Sequence, residues 1–268
     1  RNRVLVNRQP LKRARDLLGV LRVTVFAPDD LVLAKGGPAE RRRYLDDALV
    51  ASHPRYDALR GELERVLKQR NALLKGANGR LDESAAFTLD VWDAKLVESG
   101  GALASARQNL LARLAPVLAH TYDAVADRAA EVTATYVADW ADVGLADALA
   151  ASRTDDVRRG VSTVGPHRDD VDLMIGGLPA RTHASQGEQR SLALALRLAA
   201  HHVITEVSGS APVLLLDDVF SELDPDRADA LLANLPAGQT ILTSASGLPP
   251  KADPDLVLHI AGGRISTS

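Results

Sequence analysis

The clearest hydrophobic pattern in the chain is the short apolar run from Val213 to Leu216, which ends in Asp217 and Asp218. An uninterrupted apolar run of this length is typical of a parallel strand buried on both faces rather than of a helix. Carboxylates at the carboxyl end of such a strand lie where open α/β sheets bind their ligands. A core strand whose aspartates only cap the following turn is the alternative, and the run alone does not separate the two interpretations.

A helical pattern begins upstream, at Ser185. Ser185 and Glu188 have the spacing of a capping box, and Gly187 lets another group approach the backbone closely. A helical apolar face follows at Leu192, Leu196, Ala199 and Val203. The N–H groups and dipole of a capped helix N-terminus favour an anion, so this end is a candidate phosphate site. An ordinary capped core helix explains Ser185 and Glu188 as well.

Residues 41 to about 130 carry helical patterns with few strand signals. Apolar positions from Leu59 to Leu73 keep near-heptad spacing, and the segment Lys75 to Arg80 has two glycines and an asparagine that predict a break. Two more amphipathic stretches follow, and Gly100-Gly101 between them predicts a kink or an extended connection. We therefore expect a short helical arm, an antiparallel hairpin with extra helices.

The remaining patterns predict strands with a few short connecting helices. The predicted strands are Val23 to Phe26, part of Ala130 to Ala141, Val171 to Ile175, Gln239 to Ser244 and a terminal hairpin around Gly262-Gly263, and the predicted helices are Asp147 to Arg159 and Arg227 to Leu235.

The order of three motifs is more specific than any one of them. Ser185, which opens SQGEQ, lies 32 residues before Asp217 in LLLDD, and SELD (Ser221 to Asp224) follows directly. This is the order of the signature loop, the Walker B strand and the D-loop in ABC-type ATPases. With TVGPHRDD (163–170) and FAPDDLVLAKGGPAERRRYLD (26–46), the motifs resemble the RecF family of bacterial recombination and gap-repair ATPases related to the SMC proteins.

The resemblance covers nearly the whole chain and implies an α/β fold. It implies an ABC-type ATPase core, in which helices flank a parallel sheet, with a short helical arm. We expect residues 1–40 to be the remainder of an N-terminal ATPase lobe, 41–130 the helical arm, and 131–268 the C-terminal ATPase lobe. The arm is too short for an SMC coiled coil, and a chain without cysteine cannot form a zinc hook.

The resemblance also implies that ATP and Mg²⁺ are shared between two subunits of an ATP-dependent homodimer. Asp217 would contribute to Mg²⁺ binding, and Asp218 would be the catalytic residue that orients or deprotonates water. The other residues expected at the nucleotide are Ser185, Gln186, Gly187, Glu188, Gln189, Ser221 and Asp224. Hydrolysis would release the dimer from DNA, in replication, gap repair and the SOS response to DNA damage.

Some family features are missing from their expected places. No glutamine occupies Phe26 to Leu33, where the Q-loop would place one, and Thr243 and Ser244 stand where many ABC ATPases have a switch histidine. No G-x-x-x-x-G-K-[ST] sequence is present, and the single methionine is Met174. We therefore expect a fragment that lacks the N-terminal P-loop and is inactive alone as an ATPase.

The composition of the chain excludes several kinds of site and partner. The chain has 46% apolar residues and no cysteine, which excludes disulfides and thiolate metal sites and fits a cytoplasmic location. No stretch is apolar enough to span a membrane, and 3% aromatic residues argue against base stacking.

The first 43 residues are strongly basic. They hold eleven Lys or Arg against four acids, a balance of +7 in a chain of net charge −3. A polyanion-binding surface and a solvated strand edge both explain this. Candidate DNA contacts are Lys12, Arg13, Arg41, Arg42 and Arg43. The resemblance further implies single-stranded, gapped or junction DNA and RecR as partners.

The GPHRDD stretch offers one more candidate. His167 invites a general-base or metal interpretation, but a single histidine without a second ligand is more often part of a hydrogen-bonded turn. The resemblance makes Arg168 a candidate contact to nucleotide or partner. Two alternatives for the chain remain open: another SMC-like ABC ATPase, and a non-hydrolysing DNA-binding or scaffold module.

Overall fold

The computed structural model describes residues 4–126, 128–221, 223–245 and 247–267, so the first three residues of the predicted first domain and Glu222 of the predicted D-loop lie outside it. The helices are α1 (Val32–Lys35), α2 (Pro38–Ser52), α3 (Arg55–Gly76), α4 (Glu83–Val125), α5 (Leu145–Arg159), α6 (Ala180–His183), α7 (Gln186–Ser208) and α8 (Pro225–Ala233). The strands are β1 (Leu5–Val6), β2 (Gln9–Pro10), β3 (Val23–Phe26), β4 (Val132–Val137), β5 (Asp170–Ile175), β6 (Leu178–Pro179), β7 (Val213–Asp217), β8 (Thr240–Thr243), β9 (Leu258–Ala261) and β10 (Arg264–Thr267). Short 3₁₀ helices cover Ala14–Leu17, Pro28–Leu31 and Val219–Ser221.

A parallel sheet places the apolar run of residues 213–216 at its centre. Its strand order is β3-β7-β8, and both pairings are parallel. Leu214 and Leu216 are 1% and 0% exposed on one face of the sheet. On the other face Val25 and Ile241 are 44% and 47% exposed. The predicted parallel strand is therefore confirmed, but the described residues fully bury only one of its faces.

Helix α7 covers the buried face of this sheet. His201 Nδ1 lies 3.2 Å from Thr24 Oγ1 of β3, and Arg197 pairs with Asp30, which follows the end of β3. Tyr44 of α2 donates a 2.6 Å hydrogen bond to the carbonyl of Leu196. These contacts set α7 antiparallel to β3, with its N-terminus at the carboxyl edge of the sheet.

Helix α4 is the longest element and joins the arm to the core. Its 43 residues extend about 65 Å at 1.5 Å per residue. It contacts α3 as well as α7 and β4, and Leu114, Leu118 and Tyr122 are fully buried on it. The core cluster accordingly runs through α2, α4, α7 and both larger sheets.

The prediction of a kink or extended connection at Gly100-Gly101 is wrong, because α4 continues through both residues. The reason is a close tertiary approach. A Cβ on Gly100 would lie 3.2 Å from the ring of Pro166 and 3.3 Å from Leu145. Gly100 therefore lets a loop and a second helix pack directly against the α4 backbone.

The other sheets are antiparallel. Strands β4, β5 and β6 form one sheet, in which Val132 pairs with Ile175 and Val137 with Asp170. Strands β9 and β10 form the predicted terminal hairpin, and its paired Ile260 and Ile265 are 73% and 69% exposed.

Candidate functional site

The carboxyl edge of the parallel sheet brings together Asp217 and Thr243. Asp217 ends β7 and is exposed, and its register partner on β8 is Thr243. Thr243 Oγ1 donates a 2.5 Å hydrogen bond to Asp217 Oδ1. The backbone N–H of Asp218 donates to the carbonyl oxygen of Thr243 at 3.1 Å and lies 3.2 Å from its hydroxyl oxygen. The end of β8 therefore fixes the orientation of the acidic pair.

Asp218 has an unusual backbone and an unusual carboxylate. Its φ of +49° lies in the left-handed region, which few residues other than glycine adopt but which aspartate tolerates. Its carbonyl oxygen accepts a 2.8 Å hydrogen bond from Ser221 Oγ. Its buried Oδ1 has no hydrogen-bond partner among the described residues. A carboxylate oxygen without a donor, beside a second carboxylate, fits a cation or a water molecule.

The N-terminus of α7 has the predicted cap. Ser185 N–H donates to Glu188 Oε2 at 2.7 Å, and Glu188 N–H donates to Ser185 Oγ at 3.3 Å. The backbone hydrogen bond from Ser185, followed by its side-chain hydrogen bond, lowers the pKa of Glu188. Gln186 is exposed beside them, whereas Gln189 is buried and donates to the carbonyl oxygen of Ala180 at 3.1 Å. Gln189 therefore anchors the start of the helix from inside.

The side chain of Arg227 packs against the backbone of Gly187. A Cβ on Gly187 would lie 2.5 Å from Arg227 Nη1 and 2.7 Å from Nη2. Arg227 begins α8 together with Asp224, whose Oδ1 accepts from the Arg227 N–H at 3.0 Å and whose Oδ2 lies 3.4 Å from Nε. The predicted signature loop and D-loop therefore touch within one chain, through Arg227.

The N-terminus of α7 extends past the acidic pair. His201 lies level with Thr24, which pairs with Leu214. From that level α7 continues 16 residues to Ser185, roughly 24 Å along the helix. β7 advances three residues to Asp217, roughly 10 Å. With α7 running alongside β7, these lengths put Ser185 and its neighbours beyond the edge at which Asp217 and Asp218 lie.

Two residues of this site were not predicted in these roles. Sequence patterns show Thr243 only as standing in place of a histidine, because its hydrogen bond to Asp217 depends on the register of β7 and β8. The sequence patterns assign Arg227 no role at the site. Its one local signal is the spacing D-P-x-R, in which an aspartate N-cap is followed by a basic residue in the first helical turn.

The predicted DNA contacts do not share one environment. Lys12 is exposed, and the side chain of Arg13 is 73% exposed beside Asp16. Arg41 is buried and donates to both oxygens of Asp170 at 2.8 and 2.9 Å. This ion pair occupies the guanidinium, so the structure places Arg41 in the interior rather than on a DNA surface.

Arg42 and Arg43 differ from Arg41. Arg42 donates to the carbonyl oxygen of Asp169 at 2.6 Å, and the side chain of Arg43 is 76% exposed. Of the three arginines Arg43 is therefore the most exposed, and its Nε lies 3.8 Å from Asp47.

The GPHRDD stretch is the turn against which the arm packs. Arg107 of α4 donates to both oxygens of Asp46 and to the Pro166 carbonyl oxygen at 2.7–2.8 Å. Asp169 accepts from Tyr136 and Trp140, and His167 Nε2 lies 3.0 Å from the Ser162 carbonyl oxygen. The hydrogen-bonded-turn interpretation of this stretch therefore agrees with the structure.

A second buried network ties the arm to the same region. Arg70 is fully buried and donates to Asp93 at 2.6 Å, to Asp156 at 2.7 Å and to Ser162 at 2.8 Å. Asp156 is fully buried as well and also accepts from Thr163. The contact joins α3, α4 and α5.

The described ranges contain no group of three or more His, Cys, Asp or Glu side chains arranged to hold a metal ion. No helix in them combines the length and the apolar character that crossing a membrane requires.

A parallel sheet flanked by helices, with an acidic pair at its carboxyl edge and a capped helix beside it, is the architecture of an ABC-type ATPase core. The chain is 40% identical to the DNA replication and repair protein RecF of Arthrobacter sp. (strain FB24), over 98% of this chain and 74% of that protein. Its identity to the RecF of Renibacterium salmoninarum is also 40%, over 100% of this chain and 75% of that protein.

Solved structures agree with these relatives. The recombination mediator protein RecF of the RecFOR pathway superimposes with TM-scores of 0.84 for RecF-ATP and 0.83 for RecF-ATPrS, each at 29% identity. These matches cover 99% and 97% of this chain and 72% and 71% of theirs. No family model matches the chain. The chain belongs to the RecF family, and the predicted resemblance and fold class are confirmed.

Proposed function

We propose that the chain is part of an ATP-dependent DNA-binding clamp that acts in recombinational gap repair and replication. Its relatives are named DNA replication and repair proteins, and one solved relative is RecF-ATP. In the proposed dimer each ATP lies between the acidic pair of one copy and the signature helix of the other. The observation that carries this proposal is the projection of Ser185 past the edge at which Asp217 lies.

The acidic pair would hold Mg²⁺ and water. Asp217 is exposed and fixed by Thr243, which suits a metal ligand. Bound Mg²⁺ would supply charge neutralisation at the phosphates. Asp218 would orient or deprotonate the attacking water with Oδ1, which has no partner among the described residues. It has one methylene fewer than the glutamate at this place in many ABC ATPases, and we expect slow turnover.

The other copy would supply the N–H groups of the α7 N-terminus. Ser185, Gln186, Gly187 and Glu188 would face a phosphate there, and Gln189 supports the start of the helix from inside. Ser221 and Asp224 would respond to the partner through the loop that ends at Arg227. A helix N-terminus that gains its anion only in the dimer makes dimerisation depend on ATP.

The 268 residues hold no P-loop sequence, so catalysis would need a phosphate-cradling loop in addition to them. We propose that these residues alone do not hydrolyse ATP. We propose that residues 1–40 are the remainder of an N-terminal ATPase lobe, residues 41–130 the arm and residues 131–268 the C-terminal ATPase lobe. We also propose that the protein acts in the cytoplasm.

DNA and RecR are the proposed partners. Lys12, Arg13 and Arg43 are exposed and remain candidate contacts to single-stranded, gapped or junction DNA. Arg41 is left out because Asp170 occupies its guanidinium. RecR is proposed from the RecFOR pathway of the solved relatives.

Sedimentation velocity tests the shared site. The experiment uses the protein as its host produces it. We expect a monomer without nucleotide and a dimer with ATP and Mg²⁺. Ser185→Arg should abolish the dimer, because a bulky cation would occupy the phosphate position. Ser210→Arg, just past the other end of α7, is the matched control and should dimerise normally. A dimer that ignores ATP, or that survives Ser185→Arg, would contradict the proposal.

A further inference from the structure

A groove between α2 and α3 carries an unusual concentration of arginines. Arg42 and Arg43 of α2, Arg60 of α3 and Arg107 of α4 line a cavity of about 360 Å³. Apolar side chains of α3 and α4 also line it, namely Leu63, Leu67 and Leu103. Cavities of roughly 300–1,000 Å³ with apolar walls and a few convergent polar groups are typical of small-ligand sites.

Two of the four guanidinium charges are already neutralised within the fold. Arg107 donates to both oxygens of Asp46 at 2.7 and 2.8 Å. Arg60 pairs with Asp47 at 3.0 Å and with Asp57 at 3.2 Å. These arginines need no further anion.

The other two arginines are poorly neutralised. Arg42 makes its one hydrogen bond to a neutral acceptor, the carbonyl oxygen of Asp169, and no carboxylate of the described residues lies within ion-pair distance of it. Arg43 approaches Asp47 only to 3.8 Å, and Asp47 is shared with Arg60. Two guanidinium groups on adjacent residues thus face the groove with donors to spare.

Burial makes this arrangement costly without an anion. Arg42 is half-buried, and desolvation, followed by the charge of Arg107, lowers the pKa of its guanidinium, although the charges of Asp170 and Asp169 partly offset this effect. An anion placed between Arg42 and Arg43 would relieve both effects. Guanidinium groups match the planar array of oxygens on a phosphate, and such charge-assisted hydrogen bonds are stronger than neutral ones.

We propose that this groove binds a phosphate ester, whose oxygens contact Arg42 and Arg43 and whose organic part lies over Leu63, Leu67 and Leu103. The ester is either part of a nucleic-acid backbone or a free nucleotide, and the test separates these sources. The site uses none of Asp217, Asp218 and Ser185. It therefore stands if the shared ATP site fails, and only its nucleic-acid form rests on the proposed function.

The test follows the side-chain Nε–Hε signals of arginine by NMR while inorganic phosphate is added, with sodium chloride at equal ionic strength as the reference. We expect saturable shifts at Arg42 and Arg43 with phosphate. Arg42→Gln and Arg43→Gln should each weaken binding by about tenfold, as expected for the loss of one charged hydrogen bond. Arg43 is exposed, so its variant does not threaten the fold.

Two further variants separate binding from a structural effect. Glu64 lines the groove and is exposed, so Glu64→Gln should tighten phosphate binding several-fold by removing a like charge. Arg65→Gln changes an exposed arginine of α3 that does not line the groove, and it should leave binding unchanged. Equal shifts with chloride, or equal weakening by Arg65→Gln, would overturn the proposal.

The source of the phosphate is read from the same signals. AMP and a short oligothymidylate are each titrated against inorganic phosphate. Tighter binding of AMP assigns the site to a nucleotide, and tighter binding of the oligothymidylate assigns it to a nucleic-acid backbone. If both esters bound more weakly than inorganic phosphate, the three leucines would not contact the organic part of the ligand as proposed.

Discussion

Thr243 Oγ1 donates a 2.5 Å hydrogen bond to Asp217 Oδ1, so the end of one parallel strand holds the carboxylate at the end of the next. The same threonine accepts the backbone N–H of Asp218 through its carbonyl oxygen. One residue therefore orients both members of the acidic pair.

Replacing this threonine should weaken the proposed metal site. Thr243→Val removes the hydroxyl and should lower the free energy of unfolding by about 1 kcal/mol, the usual net value of a hydrogen bond. We expect the Mg²⁺-dependent affinity for a fluorescent ATP analogue to fall several-fold as well. Thr240→Val, at the start of the same strand, is the control and should bind as the native protein does. Equal affinities for the two variants would show that Thr243 does not position Asp217.

The buried pair of Arg70 and Asp156 predicts a large stability effect. Both side chains are fully buried, and Arg70→Leu would leave Asp156 with only part of its hydrogen bonds. Removing one partner of a buried ion pair typically costs about 3–5 kcal/mol, and we expect a loss of that size in chemical denaturation. Arg65→Leu on the exposed side of the same helix should change stability by less than about 0.5 kcal/mol. A similar small loss for both variants would contradict the network.

Buried His201 and partly buried His167 predict a loss of stability in mild acid. Burial, as the largest cause, lowers the pKa of both His167 and His201 in the folded chain below the ordinary 6.5. The unfolded chain therefore binds more protons as the pH falls, so the stability present above pH 6.5 is lost as the pH falls through that value. We expect denaturation midpoints to fall over this range. His167→Gln keeps a donor for the Ser162 carbonyl oxygen and should flatten the pH dependence. If the denaturation midpoint of that variant depended on pH as it does in the native protein, His167 would not contribute to the loss of stability in acid.

Local sequence patterns predicted the elements that local physics determines. The apolar run at 213–216 predicted β7, and Ser185 with Glu188 predicted the cap of α7. Motif order and family resemblance supplied the fold class, which spacing alone would have left open. These features depend on residues that are close in sequence.

The features that sequence patterns missed depend on contacts between distant residues. Gly100 looked like a helix breaker, but it accommodates Pro166 from another part of the chain. Arg41 looked like a surface cation, but it meets Asp170, 129 positions away. Nothing in the spacing of either residue reveals its partner. The identity of such partners comes only from the tertiary fold.

The most direct test of the shared ATP site mixes two variants that are each inactive. Ser185→Arg destroys the signature side and Asp218→Asn the catalytic side of the site. A mixed dimer would restore one complete site, formed by Asp218 of the first variant and Ser185 of the second. In an equal mixture of the two variants, each made in the protein as its host produces it, we predict ATP turnover well above that of either variant alone and at most about half of the native value, because each mixed dimer has one complete site of two. Turnover no higher than that of either variant alone would contradict a site shared between two copies.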